Sequence, residues 1–373
     1  MTTNLQRQLD AYAAAMGVPM PAEMARHAIS QLFVLEKLFF EDPPHPTSVL
    51  HDPTHWTALV GGSSLHVTSS PLANSAFSIT SSSSKFSTDD ATGTSVVLSE
   101  QGYTVLDPFA QANHTTYSLA ALEAGVHALH AAGYPPAFIF VFDEAWAYLD
   151  AVWGAVYEPL LGPGCVLEAD LNCWHLHRPV SQTTASNPYI GVNFGAAHRD
   201  LGFDQCHDAD EQFTSLTCWL PLNRHGATAD NGCMHVVPID ADDFFYAPHH
   251  PQHRRSVHSP SAVPLIVPAG HVATWIPSLV HWGSACETTC SSIEPRMSMG
   301  ATFRRQTAKR SQFVPGEDAT DGPQPLNRDQ LPHLTLEKRL AYVAKALLAY
   351  SHWYPGMSGL NLPPDRDDTV LHE

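Results

Sequence analysis

The chain has 373 residues and a formal net charge of −18, with 37 acidic side chains against 19 lysines and arginines. That balance excludes the basic footprint that a nucleic-acid-binding surface needs. A hydrophobic content of 44% is ample for a buried core, and no apolar run is long enough to span a bilayer. Seven cysteines without a Cys-x-x-Cys pair fit neither a disulfide scaffold nor a zinc ribbon, and the amino terminus lacks the basic-then-apolar pattern of a secretory signal. A cytoplasmic protein with reduced thiols, monomeric or homodimeric, is expected.

In chain order, residues 4–16 and 21–40 are predicted helices. Ala25, Ala28, Leu32, Leu35 and Phe39 fall on one apolar stripe, and Gly17, Pro19 and Pro21 separate the pair. From Thr68 to Ser95 the chain is crowded with Ser and Thr, including Ser81 to Ser84, and reads as a long surface loop. Gly102-Tyr103-Thr104-Val105-Leu106 alternates like a strand. A helix capped by Ser118 should run to about Ala132. A second, capped by Asp143, carries Trp146, Leu149, Val152, Val156 and Leu160 at helical spacing until Gly162-Pro163-Gly164.

Beyond that point the pattern changes to short strands with turn punctuation, at 165–178, 189–199, 214–222, 232–238, 263–267, 271–277 and 296–304. Many short strands separated by Pro, Gly and Asn clusters indicate a sandwich or barrel. A last helix is predicted over 335–351, with Leu336, Leu340, Leu347 and Leu348 on its buried face. The expected organisation is a helical and Ser-rich extension over 1–98, a β core over 99–310 and a helical tail over 311–373.

The chemistry concentrates around Gly195-Ala196-Ala197-His198-Arg199-Asp200-Leu201-Gly202-Phe203. On an extended strand, residues two apart share a face, so His198 and Asp200 project together while Arg199 points away. An imidazole beside a carboxylate supplies two of the three ligands of a 2-His-1-carboxylate facial triad, which holds Fe(II) and leaves the opposite face of the metal open. His281, in Trp275-Ile276-Pro277-Ser278-Leu279-Val280-His281-Trp282-Gly283-Ser284, is the candidate third ligand, ahead of His235, His253, His258 and His271. On the strand beginning Pro295-Arg296-Met297-Ser298, Arg296 and Ser298 share a face. A guanidinium and a neighbouring hydroxyl there suit the distal carboxylate of a dicarboxylic cosubstrate.

The order His-x-Asp, a His about 80 residues on, then Arg-x-Ser resembles the phytanoyl-CoA dioxygenase-like family of Fe(II)/2-oxoglutarate-dependent oxygenases. The resemblance runs from roughly Gly102 to Arg304. It includes the strand Leu216-Thr217-Cys218-Trp219-Leu220 and the segment Asp230-Asn231-Gly232-Cys233-Met234-His235-Val236-Val237-Pro238. It implies a mainly β fold, a double-stranded β-helix (jelly roll, cupin-like) flanked by helices. It further implies His198, Asp200 and His281 on Fe(II), and Arg296 with Ser298 and Trp219 at 2-oxoglutarate. The activity implied is oxidation of a small organic molecule by dioxygen, with release of succinate and CO2. Related halogenases lack the carboxylate ligand, so Asp200 implies hydroxylation or another oxidation. The alternatives are a metal-binding jelly roll with a hydrolytic role and a non-catalytic ligand-binding member.

Two departures from the family pattern stand out: Trp282 intervenes between His281 and Gly283-Ser284, and the interval from His281 to Arg296 is extended, with Cys286 and Cys290 in the added stretch. Arg304 is therefore a fallback for Arg296, although the Arg304, Arg305, Lys309 and Arg310 cluster otherwise reads as a solvated edge. His175 and His177 are candidates for the pocket wall. Asn231 and Gly232 are read as turn residues, and the aromatic, His-rich loop from Asp240 to Ser259 as a pocket cover.

Overall fold

The structure, a computed structural model, describes residues 50–61, 64–68, 71, 88–109, 116–132, 134–176, 197–253, 259–284, 286, 293–308 and 324–350. The predicted helices over 4–16 and 21–40, Ser81 to Ser84, and His177, His258, Cys290, Lys309 and Arg310 lie outside these residues.

Among the described residues four helices precede most of the sheet: α1 (Pro53–Leu59), α2 (Thr88–Gln101), α3 (Thr116–Ala131) and α4 (Asp143–Val152). A π turn, Trp153–Tyr157, and a final turn, Glu158–Leu161, extend α4. Helix α2 begins inside the stretch to Ser95 expected to be loop. Its Thr, Ser and Gly residues are poor helix formers, but Leu98 is fully buried and Gly102, at φ +85°, donates its N–H to the Leu98 carbonyl at 2.8 Å. Tertiary packing and a glycine stop override local propensity there. Asp143 is not a cap either. It lies inside the first turn of α4, fully buried, and pairs with the equally buried Arg339 at 2.6 Å.

Among the described residues there are nine strands, most of them shorter than expected and all but β8 within stretches read as strands from the sequence: β1 (Tyr103–Leu106), β2 (Val166–Leu167), β3 (Asn172–His175), β4 (Ser215–Pro221), β5 (Met234–Val236), β6 (Val263–Leu265), β7 (Val272–Trp275), β8 (His281–Gly283) and β9 (Met297–Arg304). One antiparallel sheet runs β1-β7-β4-β9-β2, with β3 also on β9; the other runs β6-β5-β8. His198 pairs with His281, which adds its segment to the free side of β8. Of the predicted 189–199 strand, only this bridge falls among the described residues.

From β3 onward the chain repeatedly switches sheets: β3 in the first, the His198 segment in the second, β4 back in the first, β5 and β6 in the second, then β7, β8 and β9 alternating. The orders β3-β9-β4-β7 and His198-β8-β5-β6 are those of a double-stranded β-helix. Strand β9 is buried on both faces, as a central strand between two layers should be. Phe303 faces the helices, stacking on Tyr157 with ring centroids 4.1 Å apart and meeting Trp153 edge-on. Burial of such rings contributes about 1.5–3 kcal/mol each and fixes α4 to the outer face of the large sheet. The final helix, α5 (Leu336–Ala349), is held by Arg339, which also donates to the carbonyls of Val141 and Thr68.

Candidate metal centre and its cavity

His198 and His281 sit opposite each other on neighbouring strands, and each backbone N–H donates to the other's carbonyl, at 3.0 and 2.9 Å. Directly paired residues present side chains on the same face, and the two imidazole centroids are 4.4 Å apart. Asp200 returns to that face two residues after His198. Its Oδ1 is 3.5 Å from Nε2 of both histidines. Among the described residues these three form the one group whose possible ligand atoms all lie within 4.8 Å of one another.

The surroundings orient the donors. His281 is buried against Trp275, and its Nδ1–H donates to the Leu279 carbonyl at 3.0 Å, which turns Nε2 toward Asp200. Burial alone would raise the Asp200 carboxyl, but the imidazoles of His281 and His198 outweigh it and hold the group well below the usual carboxylate range. Arg199 points away, as expected, and is fully engaged. It donates to the carbonyls of His253 and Ser278, at 2.9 and 2.5 Å, and pairs with Asp242 at 2.7 Å. It thereby ties the loop after β5 to the turn before β8.

The donor group lies in the wall of a cavity between the two sheets, with an empty volume of about 850 Å³ including its open mouth. Arg296 lines the same cavity. Its position is set by backbone bonds on both sides: Arg296 donates its own N–H to Asn231, while buried Asn223 donates to the Pro295 carbonyl and accepts from Met297 N–H. The Arg296 guanidinium lies 5.4 Å from the Trp219 ring and points one Nη at Met234 Sδ, 3.2 Å away. Its Nε has no hydrogen-bond partner, and burial pulls the group down to about 10. A buried guanidinium whose Nε is unsatisfied and whose Nη meets only a thioether is the chemistry of an anion site. Ser298 is fully buried deeper on β9, its hydroxyl also without a partner, and it is not part of the cavity wall.

Other expectations resolve differently. Arg304 is not a solvated edge and faces no cosubstrate; it is buried, paired with Glu168, and donates to the carbonyls of Arg305, Gln306 and Ala308. His175 meets His127 and His130 of α3 and is absent from the cavity wall, because Asn172 and Trp174 take the inward positions of β3. Among the described residues, the loop from 240 to 259 contributes nothing to the wall; Phe245 and Tyr246 pack on Phe203 instead. Of the rival histidines, His235 stacks on Trp282, His253 bonds the Phe244 carbonyl, and His271 lies near Asp107. Trp282 therefore faces outward between two inward residues. Asn231 does close a turn, through bonds to Thr228 N–H and the Gly226 carbonyl, and Gly232 takes φ +98°. Cys286 is buried, with Sγ 3.6 Å from the Asp230 carbonyl.

Among the wall residues given no role in the sequence are Asp170, Asn172, Thr302 and Tyr350. Thr302 Oγ1 donates to Asp170 at 2.7 Å, and burial pushes the Asp170 carboxyl up to about 6. No spacing rule singles them out, since β3, β9 and the end of α5 meet only in the folded chain.

The fold and site together define a double-stranded β-helix with a His-x-Asp…His donor set between its sheets. No family model matches the chain, and no curated protein matches it. Solved structures with similarity include the non-haem alpha-ketoglutarate-dependent epimerase SnoN from nogalamycin biosynthesis, at 20% identity over 65% of this chain and 92% of that one, with a TM-score of 0.44. The non-haem monooxygenase ThoJ, as a nickel complex, gives 16% identity over 70% and 99%, at 0.41. EctD from S. alaskensis, with 2-oxoglutarate and 5-hydroxyectoine, gives 15% over 59% and 77%, at 0.37. At these scores the geometry of the site, not the likeness, bears the functional reading.

Proposed function

We propose that the chain is a non-haem Fe(II)- and 2-oxoglutarate-dependent oxygenase of the phytanoyl-CoA dioxygenase-like kind, hydroxylating or otherwise oxidising a small organic molecule. One observation supports this above the rest: a buried guanidinium whose Nε has no hydrogen-bond partner and which pairs with no carboxylate among the described residues shares one cavity with a converged two-histidine, one-carboxylate donor set. The donors fit Fe(II), being two neutral imidazole nitrogens and an ionised carboxylate on one side of a cavity. When bound, iron with a 2-oxo acid supplies the oxidising chemistry, consuming dioxygen and releasing succinate and CO2.

The protein's own part is positioning. His198, Asp200 and His281 would hold the metal, with the Leu279 carbonyl keeping the His281 ring in place. Arg296 would take the far carboxylate of 2-oxoglutarate, where its charge finds the partner the fold withholds. Trp219 buttresses the guanidinium. A hydrolase has no use for a carboxylate clamp beside its metal. Residues 99–310 form the core of the catalytic unit. A cytoplasmic location agrees with the six described cysteines, none of which is in a disulfide.

The test is anaerobic loading. The protein should bind about one Fe(II) per chain and, with 2-oxoglutarate, develop the weak visible charge-transfer band of a chelated 2-oxo acid. His198→Ala, Asp200→Ala and His281→Ala should each lose the band. Unchanged iron binding in both histidine variants would reject the ligand assignment, and wild-type iron binding without the band would reject the cosubstrate.

A further inference from the structure

The cavity wall is chemically lopsided. Arg296 is its cationic feature, while Asp170, Asn172, Thr302 and Tyr350 form a second polar group drawn from β3, β9 and α5. This group is built rather than incidental. Asn172 lies across from Gly300 in the β3–β9 pairing, and a Cβ on Gly300 would fall 2.5 Å from Asn172 Oδ1. The missing side chain therefore seats the carboxamide in the wall. The Tyr350 hydroxyl, on the same wall as Asn172, donates to the Asp170 carbonyl at 3.3 Å. Thr302 fixes the Asp170 carboxylate from the other side.

The remaining hydrogen-bonding capacity is mostly for acceptance. Asp170 has carboxylate lone pairs to spare beyond the Thr302 bonds, and the Asn172 carboxamide adds a carbonyl oxygen to the same wall. A ligand meeting this wall must therefore donate. It need not be cationic, because buried Lys345 stands close enough to Asp170 to draw its titration down and supply a countercharge. Trp174, edge-on to Tyr350, and Trp275 add aromatic surface to the same cavity. Acceptors beside indole rings suit a molecule with a hydroxylated edge and a C–H face.

We propose that Asp170 and Asn172, seated by Gly300 and held by Thr302 and Tyr350, select an uncharged polyhydroxylated ring, such as a glycosyl or cyclitol group, as the substrate of this site. The proposal rests on the oxygenase reading and names its substrate class.

The experiment uses zinc-loaded full-length protein with 2-oxoglutarate and ligand-observed NMR. The probes are methyl glucopyranoside and myo-inositol for hydroxylated rings, cyclohexylamine for a cation, and a hexanoyl thioester for an acyl chain. The hydroxylated probes should bind best. Asp170→Ala should weaken them by at least about tenfold, the loss of one hydrogen bond to a charged acceptor. Gly300→Ala, which displaces the Asn172 carboxamide without changing charge, should weaken them as well. Thermal stabilisation by 2-oxoglutarate should be unchanged in both variants, which shows that they fold and retain the Arg296 end. The proposal is overturned if the hydroxylated probes fail to bind, if they bind both variants as they bind wild type, or if cyclohexylamine binds better and is lost in Asp170→Ala. The charge-transfer band of the iron-loaded wild type reports separately on the oxygenase reading, so the two failures are distinguishable.

Discussion

Replacing Arg296 with methionine should have two effects of opposite sign. The side chain is only 1% exposed, and burial pulls its titration well down, to about 10. That shift corresponds to roughly 3 kcal/mol of penalty on the charged form. The Trp219 ring, 5.4 Å away, returns about 0.5–2 kcal/mol of it. No carboxylate is paired with the guanidinium among the described residues. Arg296→Met keeps apolar volume and removes the charge, so the cofactor-free variant should be more stable by roughly 1–2 kcal/mol, a rise of a few degrees in Tm. The same change should abolish most of the stabilisation by 2-oxoglutarate, since a bidentate charged pair is worth about 1.5–3 kcal/mol. One to two orders of magnitude more ligand should then be needed, and lysine should restore little because it offers a point charge in place of a planar fork. The assay is thermal unfolding with and without 2-oxoglutarate. A variant that unfolds earlier than wild type without ligand, yet keeps the full ligand-induced shift, would refute the reasoning.

Three further outcomes are expected. Arg304→Met should leave the 2-oxoglutarate response intact but cost about 3–5 kcal/mol in urea unfolding, because it strands Glu168 as a buried charge. Arg199→Met or Asp242→Asn should destabilise by a similar order, since the pair is buried and Arg199 also holds two carbonyls; unfolding midpoints within error of wild type would argue against that role. The Asp170 carboxyl is raised above its unfolded value, so its ionised form is penalised in the fold: the penalty is absent below about pH 4 and grows as pH rises through 6. Asp170→Asn should therefore match wild type near pH 4 and exceed it by up to about 3 kcal/mol at pH 8, and a pH-independent difference between the two Tm curves would contradict this.

Much of the fold was legible because its signals are local. Alternation marked β4, β7 and β9, and the His-x-Asp spacing placed two donors on one face before any partner strand was known. Strand β8 escaped because His281-Trp282-Gly283 is too short to show a period, and it follows a Pro-Ser turn. Helix α2 escaped because its residues favour loops while a single buried leucine and a terminal glycine decide the matter. Arg304 was misread because a cluster of basic residues looks solvated until Glu168 is found across the β2–β9 corner. Asp170 and Tyr350 illustrate the general limit: nothing in their sequence neighbourhoods says that they share a wall.

The sheet-switching path also bears on how the molecule is made. Tyr103 pairs with Trp275, Val166 with Arg304, and Asn172 with Gly300, so nearly every ladder joins segments distant in the chain. High contact order of this kind slows folding and keeps strand edges exposed while it proceeds. His198 and Asp200 come together with His281 only when the segment around His198 docks on β8. A metal ion has no preformed site on the nascent chain, so it cannot template the early steps. Its influence comes at the end, by mass action, drawing finished molecules out of the folding equilibrium. Iron supplied during expression should therefore raise the yield of native protein without accelerating the slow refolding phase.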